Sequence, residues 1–296
     1  MFVRNILSFL SNVISISYKR GRMLLKKVIK YLITTLMVIL SINLSSCGKS
    51  GFKNKNSYFD NVGQVDQISI QSIRDKSFKF LVTDEKSIVS MYELLSKAKV
   101  SEVKSDLQPD YIFEIKMGDE VKQYNYVVGA YEGNFYNDEA SFTVSKRLDE
   151  GILQNLSIIR KPRDFEYIYY EPILDIIDKL SKTVDFKDRN VGIDIKDDVD
   201  CLKYIFSTDL ENFLQKARKK APNIEVIDNN AKDFDIIIRI KNRGHSTTEY
   251  KSNITVEDKK ENTEYYYYVV GENQYKEWNI NIYKEDELPK DVQKNW

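Results

Sequence analysis

The chain has 296 residues, with 45 lysines and arginines set against 45 aspartates and glutamates, so it is formally neutral. That balance gives no general electrostatic pull toward nucleic acid, and two cysteines are too few for a disulfide-built scaffold. With one histidine and 11 glycines, the chain also lacks Gly-x-Ser-x-Gly, His-Glu-x-x-His, Cys-x-x-Cys and any glycine-rich phosphate loop.

In chain order, Arg4, Lys19, Arg20 and Arg22 precede Lys26, Lys27 and Lys30, and from Tyr31 to Gly48 there is no charge. A basic start, an apolar centre and small residues at its end are the layout of a secretory signal. The apolar centre, residues 31–44, has 14 residues. A spanning helix needs about 20, so length argues against a transmembrane anchor. The segment ends in Leu44-Ser45-Ser46-Cys47, which resembles the lipobox of bacterial lipoproteins. The resemblance implies diacylglycerol on the Cys47 sulfur, cleavage between Ser46 and Cys47, and a mature N-terminus held on the cell membrane, facing outside the cytoplasm. Residues 1–46 are then a cleaved signal peptide. A count from Met23 to Ser46 gives 24 residues, within the usual range of about 15 to 30, so translation is placed at Met23; the competing reading is a long basic leader. Removing residues 1–46 leaves 250 residues with 38 basic against 45 acidic side chains. A net charge near −7 disfavours nucleic acid further.

Residues 47–64 are polar, rich in asparagine, serine and lysine, and read as a lipidated, flexible tether. The folded part begins at Val65 and contains an internal echo. Ile68-Ser69-Ile70 is matched by Ile193-Asp194-Ile195, Thr83-Asp84 by Thr208-Asp209, and the segment 110–116 by 235–241, each 125 positions on. Tyr124 to Gly129 then reappears as Tyr266 to Gly271, offset by 142, because residues 242–265 read as an inserted polar loop. Ordered matches at a fixed offset predict a duplicated domain.

Each copy reads as α+β. Ile68, Ile70, Phe78 and Phe80 alternate with polar residues as in half-buried strands. Asp84 supplies an N-cap for a helix over 85–99 with Ile88, Met91, Leu94, Leu95 and Ala98 on one face. Strands follow over 111–117 and 121–128, turned by Gly118-Asp119, then a short strand within 129–137 and a closing helix from Ser145 with Leu148, Ile152, Leu153 and Leu156 inward. In the connecting segment, 161–190, a helix is expected from Glu171 with Pro172 in its first turn, packing against the sheets. The second copy, 191–296, repeats the helix over 209–221, ended by Pro222. The expected architecture is two tandem copies, 65–160 and 191–296, of an antiparallel sheet with helices on one face. The Lys97-Ala98 and Lys219-Lys220-Ala221 helix ends, the Asp110 to Phe113 strand and the Tyr124 to Tyr126 strand resemble the small extracytoplasmic domain of Gram-positive lipoproteins of the YhfM type. The second copy departs from it, with Ile236 and Ile238 in place of Tyr111 and Phe113. The resemblance implies no catalytic residues.

Little chemistry is legible. His245, placed in the 242–265 loop, reads as a solvated side chain, and the Asp194 to Asp200 run as a charged hairpin turn rather than a calcium site. Cys201, in an expected strand, reads as a small buried hydrophobe. Neither a catalytic residue, a metal site nor a cofactor is expected. Twenty tyrosines against two tryptophans are the unusual feature. Tyr124 with Tyr126, and Tyr266 with Tyr268, form strips suited to a protein, peptide or envelope-glycan partner, or to cross-strand packing. The expected function is a non-catalytic binding or envelope-interaction module anchored in the bilayer through Cys47, with His245 and the tyrosine strips as its candidate surface. A substrate-binding lipoprotein of a transporter and an envelope-acting enzyme remain the alternatives.

Overall fold

A computed structural model describes Phe59, residues 62–145, Leu148 and residues 161–294, all within one compact unit, Lys55–Trp296. The expected signal peptide, Cys47, most of the tether and nearly all of the closing helix after Ser145 lie outside the described residues.

The first half forms a seven-stranded sheet in the order β2-β1-β4-β5-β6-β7-β3, with every pair antiparallel. Its strands are β1 (Gln67–Ser72), β2 (Lys79–Val82), β3 (Lys99–Val100), β4 (Tyr111–Met117), β5 (Glu120–Tyr126), β6 (Phe135–Tyr136) and β7 (Ser141–Thr143). Alternation places Tyr111, Phe113 and Ile115 of β4 in the core beside Ile68 and Ile70 of β1 and Tyr124 and Tyr126 of β5. Helix α1 (Glu85–Leu95) starts where expected: the Asp84 carboxylate accepts the Ser87 amide at 3.0 Å. It stops four residues short of the expected Lys99, because Lys99 and Val100 pair with Thr143 and Phe142 as β3.

The second half departs from expectation in four places. Helix α2 (Phe165–Leu180) begins six residues before Glu171 and carries Pro172 in its interior. Its apolar face, from Phe165 through Ile168 and Ile176 to Leu180, is anchored in the second core, so the missing proline N–H is tolerated. Cys201 lies in a short helix, α3 (Val199–Leu202), rather than a strand, and is fully buried as expected. Helix α4 is Ser207–Ala217, so Thr208 and Asp209 fall inside its first turn instead of capping it. Residues 242–265 are no loop: they finish β10 (Ile236–His245), make the whole of β11 (Glu249–Asp258) and start β12 (Thr263–Gln274).

The remaining elements are β8 (Val191–Asp194), β9 (Ile224–Val226), β13 (Glu277–Lys284) and α5 (Lys290–Lys294), giving a six-stranded sheet of order β13-β12-β11-β10-β8-β9. β8 runs parallel to both β9 and β10, and α3 and α4 form the crossover that such a connection requires. In the first half the corresponding strand, β1, runs antiparallel to β4. The second sheet is therefore mixed: the 125-residue offset carries the adjacent strands β1 and β4 onto the adjacent strands β8 and β10, but with parallel instead of antiparallel pairing. The 142-residue match equates β5, neighbour of β4, with β12, which is separated from β10 by β11. Described as built, the molecule is two antiparallel-rich sheets with helices, α+β in class.

Candidate functional site

The two halves meet at a buried carboxylate. Asp110, just before β4, accepts from Arg74 Nη1 at 2.5 Å and from the Ser207 amide at 2.8 Å through Oδ1, and from the Val128 amide at 2.8 Å through Oδ2. The Ser207 hydroxyl accepts from Arg74 Nη2 at 2.6 Å and donates to the Gln108 carbonyl at 2.6 Å, while Thr208 Oγ1 donates to the Val128 carbonyl at 3.0 Å. Phe206 precedes α4 and cannot cap it by side chain, so an amide of its first turn is satisfied by an aspartate from the other half. The Phe206 ring joins the first half's core and faces Tyr111 with centroids 6.3 Å apart. Burial drives the Asp110 carboxyl above its ordinary value, and this outweighs the pull of Arg74 and of the two amides in the other direction.

This clasp fixes one wall of an open groove of about 540 Å³ between α2 and α4. Tyr170 of α2 stacks on Phe213 of α4, centroids 5.0 Å apart and planes inclined by 20°, and both line it. Two rim glutamates are held by lysines: Glu166 by Lys161 at 2.6 Å and Glu171 by Lys216 at 2.9 Å. Asp209, half-buried at the same wall, is pushed up to about 6 by burial and then by the neighbouring Glu166 charge, with Lys161 acting against them. The Tyr170 hydroxyl is buried without a hydrogen-bond partner.

A second buried polar group lies under β10. Asp198 accepts the Asn242 amide at 2.8 Å, where the β10 ladder shifts register, and burial pushes its carboxyl up to about 6. Tyr169 and Cys201 face it and offset part of that cost, although Tyr169 forms no hydrogen bond of normal geometry. Burial, reinforced by Asp198, raises the Cys201 thiol far above the range in which a thiolate acts as nucleophile. Among the described residues no set of three or more His, Cys, Asp or Glu side chains is gathered around a common metal position.

The residues singled out from sequence are not brought together. Tyr124 and Tyr126 face the first core, Tyr124 stacked on Phe135 at 4.8 Å, so their strip is cross-strand packing rather than a surface. Tyr266 and Tyr268 lie on the outer side of β12, with Tyr266 41% exposed and its hydroxyl donating to Glu264 at 2.5 Å. His245 ends β10, half-buried, edge-on to Tyr204 at 6.0 Å; burial and then Lys203 hold its imidazole below the ordinary value. It is therefore a packed strand residue, not a solvated loop side chain. Cys47 lies outside the described residues. Sequence reasoning missed Arg74, Tyr170 and Ser207 altogether, and took Asp110 and Asp209 only as strand and cap residues. The available signals were two charges, Arg74 and Asp110, beside apolar strands, and the Tyr169-Tyr170 pair next to Phe165 on the buried helix face.

No helix among the described residues is long and apolar enough to cross a membrane. Residues 61–162 match the model of the YhfM protein family, so the first half carries a YhfM-like domain. The match contains the first sheet and Asp110 and ends before α2, leaving the groove helices outside it. No curated protein and no solved structure matches the chain.

Proposed function

We propose that the chain is a membrane-anchored extracytoplasmic lipoprotein whose folded part is a non-catalytic binding module. The address rests on the Leu44-Ser45-Ser46-Cys47 sequence behind its basic and apolar run, and the YhfM-type first half is consistent with it. The binding role rests on one observation: the groove between α2 and α4 is held open by a clasp from the other half, with a stacked Tyr170–Phe213 floor and ion-paired rims. A concave, largely pre-formed site with an aromatic floor and polar walls loses little ordering entropy on binding.

The test has two parts. Mass spectrometry of the mature N-terminus is expected to find an acylated Cys47, and Cys47→Ala to release the protein from the membrane fraction; an unmodified Cys47 or cleavage elsewhere refutes the anchoring. Proximity labelling on intact cells is expected to return the same neighbours reproducibly, and fewer of them when Asn212→Trp, at an exposed position on the groove wall, fills the groove. An unchanged neighbour set refutes the groove as the binding surface.

A further inference from the structure

We propose that β13 is an interface with a second copy of this chain: two β13 edges pair antiparallel about a twofold axis at Ile280 and join the second sheets of both copies into one. The inference goes beyond the binding role proposed above and uses neither the groove nor the anchor. Four strands end the two sheets, and three of them are short: β2 has four residues, β3 two and β9 three. The fourth, β13, has eight, with no proline, no register shift against β12, and charges only at its ends, Glu277 and Lys284. Natural sheet edges are kept from pairing by shortness, proline, bulges or a charge within the strand, and β13 carries none of these devices between Trp278 and Tyr283.

The turn before β13 fixes which backbone groups face outward. Gln274 pairs with Glu277 across Tyr275 and Lys276, whose φ values of 54° and 72° make a two-residue hairpin loop. The pair flanking such a loop is hydrogen-bonded and the bonded pairs then alternate, so Glu277, Asn279, Asn281 and Tyr283 bond to β12. Lys284 keeps to the alternation, sending its N–H to the Glu287 carboxylate at 3.4 Å. The N–H and C=O groups of Trp278, Ile280 and Ile282 therefore point away from β12, and no other segment among the described residues meets them with a backbone hydrogen bond. The side chains of the same three residues pack against the second core yet stay partly exposed, so the edge offers unpaired amides and a half-covered apolar row together.

The strand also fits its own reverse. Opposite residues of an antiparallel pair share a face, so a twofold axis keeps the two apolar rows on one side only when it passes through a residue. Centred on Ile280, the pairing sets Ile280 against its own copy and Trp278 against the partner's Ile282 on the core side. On the outer side it sets Asn279 against the partner's Asn281, amide to amide, and Glu277 against the partner's Tyr283. A centre at Asn281 instead sets Trp278 against the partner's Lys284 and Glu277 against the partner's Glu285, and a centre at Asn279 leaves Ile282 opposite the hairpin turn. This match of the strand to itself is what selects a second copy as the occupant.

Charge and cysteine substitutions test the pairing and its register. Asn279 and Asn281 are both exposed, so changes there leave the fold in place. Asn279→Lys with Asn281→Lys sets like charges opposite each other twice across the axis, and is expected to weaken the dimer about tenfold in sedimentation equilibrium of the full chain in detergent. Asn279→Glu with Asn281→Lys sets opposite charges at the same two points, and is expected to bind at least as tightly as the parent. For the register, Asn279→Cys and Asn281→Cys are placed on two differently tagged full-length chains, co-expressed and oxidised in whole-cell extract. A non-hydrogen-bonded pair sets Cα atoms about 4.5 Å apart, inside the disulfide range of about 4.4–6.8 Å. A mixed disulfide dimer is expected in excess of that from the parent chains, which carry the same Cys47 and the same buried Cys201. The proposal is overturned by a parent chain that stays monomeric up to roughly 100 µM, by a dimer indifferent to both charge changes, or by absence of the mixed disulfide. In a monomeric chain, hydrogen-exchange protection of the Trp278, Ile280 and Ile282 amides assigns the edge to another segment of this chain, and a labelling neighbour lost from the double-lysine variant assigns it to an extended peptide of another protein; either result overturns the self-pairing.

Discussion

Cutting the clasp between the halves is expected to be costly in one direction and cheaper in the other. In the Arg74–Asp110 pair the side chains are 10% and 2% exposed, so Asp110→Ala strands a guanidinium that cannot give up its charge. The same change removes the acceptor for the Ser207 and Val128 amides. Breaking a buried pair costs about 3–5 kcal/mol, and each amide left dry adds about 1 kcal/mol or more unless water enters the space vacated by the side chain. A total loss of about 5 kcal/mol or more is expected. Arg74→Met leaves the carboxylate instead, and its raised pKa shows that burial already favours the neutral acid. A proton then removes the stranded charge while both amides keep an acceptor, so about 2 kcal/mol is expected. Urea unfolding of the full chain measures both, through midpoint shifts at constant slope. The double variant is expected to lose less than the two single losses combined, since the sites share a partner. If Arg74→Met proves as damaging as Asp110→Ala, or if Asp110→Ala costs under about 1 kcal/mol, the clasp does not work this way.

Asp198 gives one part of the pH dependence, with Asp209 acting in the same window: the folded Asp198 pKa of about 6 lies above the ordinary 3.8, so between the two values the folded state holds a proton that the unfolded state has lost. Its favourable contribution is complete below pH 3.8 and is lost as pH rises through about 6. Asp198→Asn should flatten the stability curve in that window by up to about 3 kcal/mol, and an unchanged slope would contradict the burial argument. At Gly192 in β8, an added Cβ would stand 2.6 Å from Ile227 Cδ1 and 2.8 Å from Phe234 Cγ. Gly192→Ala should therefore cost about 1–3 kcal/mol by thermal melting, and Ile227→Ala in the same chain should recover part of it; additive losses would refute the steric cause.

Strict alternation made β4 legible to the residue, and the Asp84 cap fixed the start of α1, because both signals are local. β11 has the same period: Tyr250, Ile254 and Val256 face inward between Lys251, Asn253, Thr255 and Glu257. Ser252 and Asp258, however, occupy the remaining inward positions, so the segment reads as polar. What makes Asp258 tolerable there is Arg189, 69 positions earlier, and nothing near Asp258 in the sequence announces that partner. The repeat extends to strand adjacency but not to strand direction, for a related reason. Ile-x-Ile recurs in any half-buried strand, whereas the direction in which β8 joins its neighbours is set by the helices that follow it. At α4 the offset of 125 pairs a capping residue, Asp84, with a residue two places inside a helix, Asp209.

That two-residue shift is what ties the candidate site to the first half. Had Asp209 capped α4, its carboxylate would be spent on a helix amide, as Asp84 is on Ser87. Because Asp110 takes the Ser207 amide, Asp209 is released from capping and faces the groove from the first turn of α4. The amide ends of a helix favour a negative charge there, yet burial still lifts its pKa to about 6. The residue that puts it in this condition, Asp110, lies in the YhfM-like half, while the groove lies beyond it. The family-matched half thus acts on the site from beneath, by supplying the cap that the second half lacks.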